Sequence, residues 1–411
     1  MDEGGFSNVL EKSGPTYKWI IESLRKTKKG FDQRLAVTAV SKVTCEHIFK
    51  EVGYTSKILR ITVYFDNDEK PEVVILKVPD HKGSERINST IKSDEAEKNK
   101  FSSLVYNLIE RETNFFMAFG NREGLKIPAI YGVKPLSSDH KSGGAILMED
   151  LSEKAVVQDF EKPFSEKQVL SLVNQLITIT ALSLQCSSEL KQFQDTDDVI
   201  SLYTSLANKS ITKLKEDYGE VFIKEAEIAK NLFSMPSFME YIAEDLNTKL
   251  GVPPVLNHGD VHGRNIMWKK NDRGGPSDEL YALIDWQRTH LGNTGADLAA
   301  AFLFCTTGEV RRKLEKSVFD YYVSTLEKLL SGSGIKVPFT ADKIKFSYQR
   351  SFIRYVFVLP TVKSFLSESN LDKEARIAAE EELRFRIAAG IEDAFEILSQ
   401  NFPPFKELIT S

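Results

Sequence analysis

The feature that most constrains this chain is a polar string with a later counterpart. Leu256-Asn257-His258-Gly259-Asp260-Val261-His262-Gly263-Arg264-Asn265 is followed, twenty residues after Asn265, by Leu283-Ile284-Asp285-Trp286-Gln287. Between them Ile266-Met267-Trp268 and Tyr281 to Ile284 are short apolar pieces flanking the polar Lys269 to Asp278 segment, the pattern of a β-hairpin. Turn chemistry alone accounts for an Asp and an Asn, but it does not demand a second Asp at the end of the strand that follows.

Around this string the apolar period changes once. Tyr17, Ile20, Ile21 and Leu24 have helical spacing over residues 17–29, and Gly30 is a stop signal. Residues 34–44 alternate through Leu35, Val37 and Val40. Residues 56–65 carry Ile58, Leu59, Ile61, Val63 and Phe65, and residues 72–78 are strongly β-branched, so all three stretches read as strands. Asp66-Asn67-Asp68-Glu69 reads as the turn between the last two. A helix follows over 94–119, marked by Phe101, Leu104, Val105, Leu108, Phe115 and Phe116, and then two further strands at 127–133 and 145–148. That order predicts a small α+β unit with an antiparallel sheet over residues 1–150. From 151 to 411 the pattern is mainly helical, with helices expected at 168–184, 200–214, 221–233 and 238–249. No internal repeat is present, and Ser331-Gly332-Ser333-Gly334 reads as a loop.

Composition excludes several functional classes. A formal net charge of -5, from 54 basic and 59 acidic residues, provides no overall field for nucleic acid or an anionic membrane, and the basic run at 25–29 is short enough to be a solvated helix end. Cys45, Cys186 and Cys305 fit neither a disulfide framework nor a zinc site. The acidic start Met1-Asp2-Glu3-Gly4-Gly5 has no signal-peptide core, and no apolar run approaches the ~18 residues that cross a bilayer. The expectation is a cytoplasmic protein that engages neither nucleic acid nor membrane.

Phosphoryl transfer needs a carboxylate that orients a hydroxyl and accepts its proton, and hard oxygen ligands that hold Mg2+ against the phosphates. Asp260, Asn265 and Asp285 supply that set, and their spacing matches the kinase catalytic loop with its second metal-binding Asp across a hairpin. Gly259 stands where that loop has Arg, and Trp286-Gln287 where it has Phe-Gly. The sequence resembles the choline kinase and aminoglycoside phosphotransferase branch of the protein-kinase-like fold. Within that branch, His-Gly-Asp-Val-His-Gly-Arg-Asn, Ile-Asp-Trp-Gln and Gly295-Ala296-Asp297-Leu298-Ala299 most resemble the ecdysteroid-kinase-like (CHK kinase-like) proteins of nematodes and arthropods. The resemblance spans residues 35–400 and is sharp over 255–300. It implies a bilobal fold with a small antiparallel-sheet lobe and a larger helical lobe, Asp260 as catalytic base, Asn265 and Asp285 as magnesium ligands, and ATP as phosphate donor. For Asp297 it implies a brace on the catalytic loop, compatible with a plain helix N-cap. His258 reads as a loop-packing residue, and His262 either braces the loop or approaches substrate. A metallohydrolase built on the alternating His258, Asp260 and His262 is the rival chemistry, but His47, His81, His140 and His290 form no second cluster in the sequence.

The nucleotide half is more diffuse. Lys77 closes Val73-Val74-Ile75-Leu76-Lys77 as a kinase phosphate-binding lysine closes its strand. Its carboxylate partner is Glu110 or Glu112, with Glu112 favoured because Glu112-Thr113-Asn114-Phe115-Phe116 resembles the family's Glu followed by an aromatic pair. Gly53, Thr55 and Ser56 are candidates for a phosphate-covering turn, which an ordinary hairpin explains equally well. Glu149 and Leu151, in Met148-Glu149-Asp150-Leu151, resemble the family's adenine-binding hinge and also suit a plain linker. The absence of an Ala-Pro-Glu element points away from a protein substrate toward a small hydroxylated acceptor: a steroid alcohol, choline, ethanolamine or a similar metabolite. The 351–366 stretch, with Phe352, Tyr355, Phe357, Leu359 and Phe365, walls an acceptor pocket or forms a core helix. A catalytically inactive pseudokinase that binds nucleotide or a partner is the second reading.

Overall fold

The computed structural model describes residues 15–48, 56–66, 70–80, 95–138, 142–158, 162–194, 198–363, 366 and 371–410. They pack as two units, one comprising the chain up to Ala155 together with Ala282–Thr289, the other Val156–Tyr281 and His290 onward.

The first unit opens with α1 (Tyr17–Thr27), whose N-cap Thr16 Oγ1 accepts the Trp19 N–H at 3.2 Å. Beyond it the strand expected over residues 34–44 forms from Val40 onward, and its first residues, Arg34 and Leu35, do not join it. Phe31–Leu35 forms a short helix, α2, because the Phe31 ring is buried 5.9 Å from the Phe65 ring and the Arg34 guanidinium lies 3.8 Å over Phe65; aromatic packing outweighs a weak period-two pattern. Strands β1 (Val40–His47), β2 (Ser56–Phe65), β3 (Glu72–Pro79), β4 (Ile130–Lys134) and β5 (Ala145–Glu149) form an antiparallel sheet among the described residues, in the order β1-β2-β3-β5-β4. Between β3 and β4 runs α3 (Glu95–Phe119). Ile20, Leu24, Leu59, Ile61, Val74, Leu76, Val78 and Leu147 make one cluster on the α1 side of the sheet. Lys77, out of phase with Val74, Leu76 and Val78, therefore faces the other side.

In the second unit β6 (Ala155–Val157) precedes α4 (Glu166–Gln185), which begins with a capping box between Ser165 and Gln168. The helices expected at 200–214 and 221–233 both lie in α5 (Asp198–Ser234), separated by a kink with non-helical backbone at Tyr218 and Phe222. The one expected at 238–249 is two, α6 (Pro236–Ala243) and α7 (Leu246–Leu250), because Asp245 caps the Asn247 and Thr248 amides and starts a new turn. Then come β7 (Val255–Asn257), the β8 (Ile266–Lys270) and β9 (Pro276–Leu283) hairpin, and β10 (His290–Gly292). Two small sheets result, β6-β8-β9 and β10-β7. Further helices among the described residues are α8 (Ala296–Cys305), α9 (Gly308–Leu314), α10 (Val318–Leu329), α11 (Ala341–Val356), α12 (Lys373–Asn401) and α13 (Pro403–Thr410).

Helix α8 is apolar almost all round and is packed against α4 and α11. Phe352, Tyr355, Phe357 and Leu359 are all buried, in keeping with a core helix; Phe365 lies outside the described residues. No helix among the described residues is long and apolar enough to cross a membrane. An antiparallel sheet with one helix inserted before its last two strands, followed by a larger mainly helical unit, is an α+β fold of the protein-kinase-like kind.

Candidate active site

Two polar clusters stand out, one in each unit. In the first, Lys77 is 8% exposed, and its Nζ lies 2.8 and 2.7 Å from the two carboxylate oxygens of Glu112 and 2.6 Å from Asp285 Oδ1. Glu112 is buried on α3, whereas Glu110 is exposed. Burial alone would lower the Lys77 pKa, but the Asp285 and Glu112 carboxylates outweigh it and hold the ammonium above its ordinary value. Burial, aided by the neighbouring Asp285 charge, raises the Glu112 pKa against the opposing pull of Lys77.

Asp285 is held in place from behind. It is the sole non-glycine residue among those described with positive φ, at φ 66° and ψ 64°, a conformation that costs energy unless the surroundings enforce it. The one-turn segment Trp286–Arg288 enforces it. Trp286 is fully buried and stacks on Phe115 of α3 at 3.8 Å and 6°, with its Nε1–H donating to Leu283 O at 3.2 Å. Glu112 accepts the Trp286 backbone N–H, and Leu283 N donates to Lys126 O at 2.8 Å. Gln287 Nε2 donates to Asp285 Oδ2 at 3.0 Å. These bonds explain why Ala282–Thr289 packs with the first unit.

In the second unit, β7 leads into Gly259 at φ 77°, a left-handed conformation that suits glycine and strains a side chain such as Arg. Asp297, 4% exposed in the first turn of α8, accepts the backbone N–H groups of His258 at 2.6 Å and Gly259 at 3.0 Å. It does not cap its own helix; Gly295 occupies the N-cap position. His258 is fully buried, and its Nδ1 accepts the Asp260 N–H at 3.3 Å. A single turn, Gly263–Asn265, folds Asn265 back onto Asp260, so that Asn265 Nδ2 donates to Asp260 O at 3.0 Å and to Asp260 Oδ2 at 3.2 Å. His262 Nε2 lies 3.2 Å from Asn265 Nδ2 and 3.6 Å from Asp260 Oδ2. Asn257 Nδ2 donates to Asn293 O at 3.2 Å, and Asn293 Oδ1 accepts the Gly295 N–H at 3.0 Å, a second brace on the same loop.

The donor chemistry fits magnesium, which needs only one or two protein oxygens when phosphates and waters complete its shell. In the second unit Asn265, its Nδ2 donating to Asp260, carries one such oxygen in its amide, and in the first unit Asp285 carries a carboxylate whose side chain is 28% exposed. A structural or catalytic zinc needs three or four His, Cys or acidic ligands, and no such group occurs among the described residues.

The diffuse nucleotide candidates stay diffuse. Ser56 opens β2 opposite Pro79, while Gly53 and Thr55 lie outside the described residues. Glu149 ends β5, its N–H donating to Ala129 O at 2.9 Å and its carboxylate paired with Lys154. Leu151 is buried, and its carbonyl accepts the Lys154 and Ala155 N–H groups at 2.9 and 2.8 Å. Sequence reasoning singled out neither the Phe115–Trp286 stack nor the Gln287, Asn257 and Asn293 bonds. Two aromatics and a few amides far apart in sequence announce no pairing.

Residues 26–402 match a family described as "DUF1679: Uncharacterized oxidoreductase dhs-27". The chain is 25% identical over 369 residues to the "Uncharacterized oxidoreductase dhs-27" of Caenorhabditis elegans, covering 87% of this chain but only 43% of that protein. It is 26% identical over 270 residues to the "Uncharacterized kinase-like protein D1044.1" of the same organism, covering 65% of this chain and 68% of that one. Among solved structures it is similar to the GDP complex of wild-type aminoglycoside 2'-phosphotransferase-IIIa, at 12% identity and a TM-score of 0.40 over 90% of this chain and 98% of that one.

Proposed function

The chain belongs to the family described as "DUF1679: Uncharacterized oxidoreductase dhs-27", and from the chemistry of its two polar clusters we propose that it is an ATP-dependent phosphotransferase acting on a hydroxyl of a small molecule. The observation that carries the proposal is Lys77, a strand-borne cation held between the helix carboxylate Glu112 and the carboxylate of Asp285. Kinases use this arrangement to orient phosphates and metal.

In this reading Lys77 binds the α- and β-phosphates and Glu112 fixes the position of Lys77. Asp260 accepts the proton of the acceptor hydroxyl as that oxygen bonds to the γ-phosphorus and ADP leaves. Asn265, donating to Asp260, orients that carboxylate and offers its own amide oxygen to Mg2+, as Asp285 does with a carboxylate oxygen. Bound magnesium would neutralise charge on the phosphates. His258 and Asp297 hold the Asp260 loop in shape through the bonds to its backbone. Ser56 and the hinge residues Glu149 and Leu151 remain the proposed nucleotide contacts. The CHK kinase-like resemblance extends the proposal to an acceptor such as a steroid alcohol, choline or a related metabolite. The word oxidoreductase stands in the description of the family and in the name of a relative of which this chain covers 43%. A dinucleotide-binding oxidoreductase of the Rossmann type needs a parallel sheet, whereas the sheet carrying Lys77 is antiparallel.

The test is thermal stabilisation by Mg-ATP followed by ADP release across a panel of hydroxylated metabolites. Turnover on one acceptor supports the enzyme; stabilisation without turnover on any would make the chain a nucleotide-binding pseudokinase; stabilisation by Zn2+ and not by Mg-ATP would revive the hydrolase.

A further inference from the structure

We propose that Gln287 is the positioning residue of Asp285, holding the carboxylate at a fixed rotation when nucleotide arrives; the inference rests on the phosphotransferase reading. Both oxygens of Asp285 are engaged, Oδ1 by Lys77 Nζ at 2.6 Å and Oδ2 by Gln287 Nε2 at 3.0 Å. The two partners differ in where they can go. Lys77 has phosphates to move toward, and as its ammonium shifts to them Oδ1 loses a partner. A carboxylate held on one side only turns readily about its terminal bond, and would present either oxygen in varying directions.

Gln287 prevents that turning. It lies two residues from Asp285 on the Trp286–Arg288 turn, whose Trp286 is fully buried, stacked on Phe115 and bonded to Leu283 O. The amide therefore travels with the carboxylate it bonds. With Oδ2 retained by Gln287, Oδ1 is the oxygen left for the metal. A glycine at this position would supply no such donor, so Trp-Gln in place of Phe-Gly provides both an anchor and an orienting amide. Groups that orient a metal ligand in this way commonly change metal affinity 10- to 100-fold when removed.

The test uses the full chain with Mn2+ as probe and ADP present, free Mn2+ being read by electron paramagnetic resonance. Gln287→Met keeps the side chain's length and removes the donor. It is expected to weaken Mn2+ binding on the order of 10-fold while ADP binding in EDTA stays at the wild-type value, which also establishes that the variant is folded. Asp285→Ala in the same titration should lose most of the Mn2+ affinity. Unchanged Mn2+ affinity in Gln287→Met with Asp285→Ala impaired would reject the positioning role alone. Unchanged affinity in both would reject it together with the metal role of Asp285.

Discussion

The Lys77 ammonium lies 2.6 Å from Asp285 Oδ1, joining residues 208 positions apart. The same nitrogen is against both oxygens of Glu112, so one buried cation neutralises two carboxylates that would otherwise repel at close range. Asp285 is thereby fixed before any ligand arrives, which is the pre-organisation that electrostatic catalysis requires.

Lys77→Met should therefore harm stability as well as nucleotide binding. Leaving Glu112 buried without its cation costs about 3–5 kcal/mol, the penalty for an uncompensated buried charge. Glu112 already has its pKa raised by burial, and losing Lys77 raises it further. A carboxyl whose folded pKa lies above its unfolded value of 4.5 penalises the folded state most above the folded pKa, and the penalty fades as pH falls toward 4.5. The gap between variant and wild type in denaturant unfolding should be widest near neutral pH and close on acidification; a gap constant with pH would show that Glu112 is not the source.

Asp260→Asn should leave thermal stability and ATP affinity close to wild type, because Asn265 and the Asp260 backbone bonds persist. Turnover on the acceptor found by the ADP-release panel should drop by about 10^2- to 10^4-fold, the usual contribution of a general base. Near-wild-type turnover would remove Asp260 from the proposed chemistry.

Much of this arrangement is legible in the sequence where the signal is local. The β-branched run ending at Lys77 and the apolar spacing of α3 need only period and composition, and Asp260 and Asn265 are five residues apart, the latter on the Gly263–Asn265 turn. What is not legible depends on contacts distant along the chain. The strand expected over residues 34–44 begins only at Val40, because its first residues belong to the short helix that Phe31 anchors against Phe65. Of the two roles expected for Asp297, local spacing suggests only the cap, whereas the bonds it makes are with His258 and Gly259, thirty-nine and thirty-eight residues earlier. A helix start reads the same in one dimension whether the carboxylate turns to its own amides or to another loop's.

Gly295→Ala should destabilise the second unit severely. A Cβ at this position would stand 2.1 Å from Tyr348 N, 2.4 Å from Ser347 C and 2.6 Å from Tyr348 Cα. All three are backbone atoms of α11, so no rotamer change relieves them. Overpacking in a core costs about 1–3 kcal/mol and occasionally more, and with only backbone to displace the upper end is expected. A melting temperature within a degree or two of wild type would show that α8 and α11 separate more readily than their packing implies.

Asp297→Ala isolates the brace from the chemistry it supports. The variant removes the Asp297 oxygens that accept the His258 and Gly259 amides, in a site where Asp297 is 4% exposed, and losing the partner of a buried N–H costs about 1–3 kcal/mol each. Asp297→Asn keeps the shape and one acceptor oxygen but turns an NH2 toward the second amide, so its loss should fall between alanine and wild type in thermal unfolding. Because Gly259 directly precedes Asp260, loosening these bonds should also lower turnover in both variants, in the same order. Mn2+ affinity in the presence of ADP should stay nearer wild type than in Asp285→Ala, since Asp285 is held by Gln287 and the Trp286 anchor. If turnover falls while the amides of His258 and Gly259 remain as protected from hydrogen exchange as in wild type, Asp297 acts other than through the loop backbone.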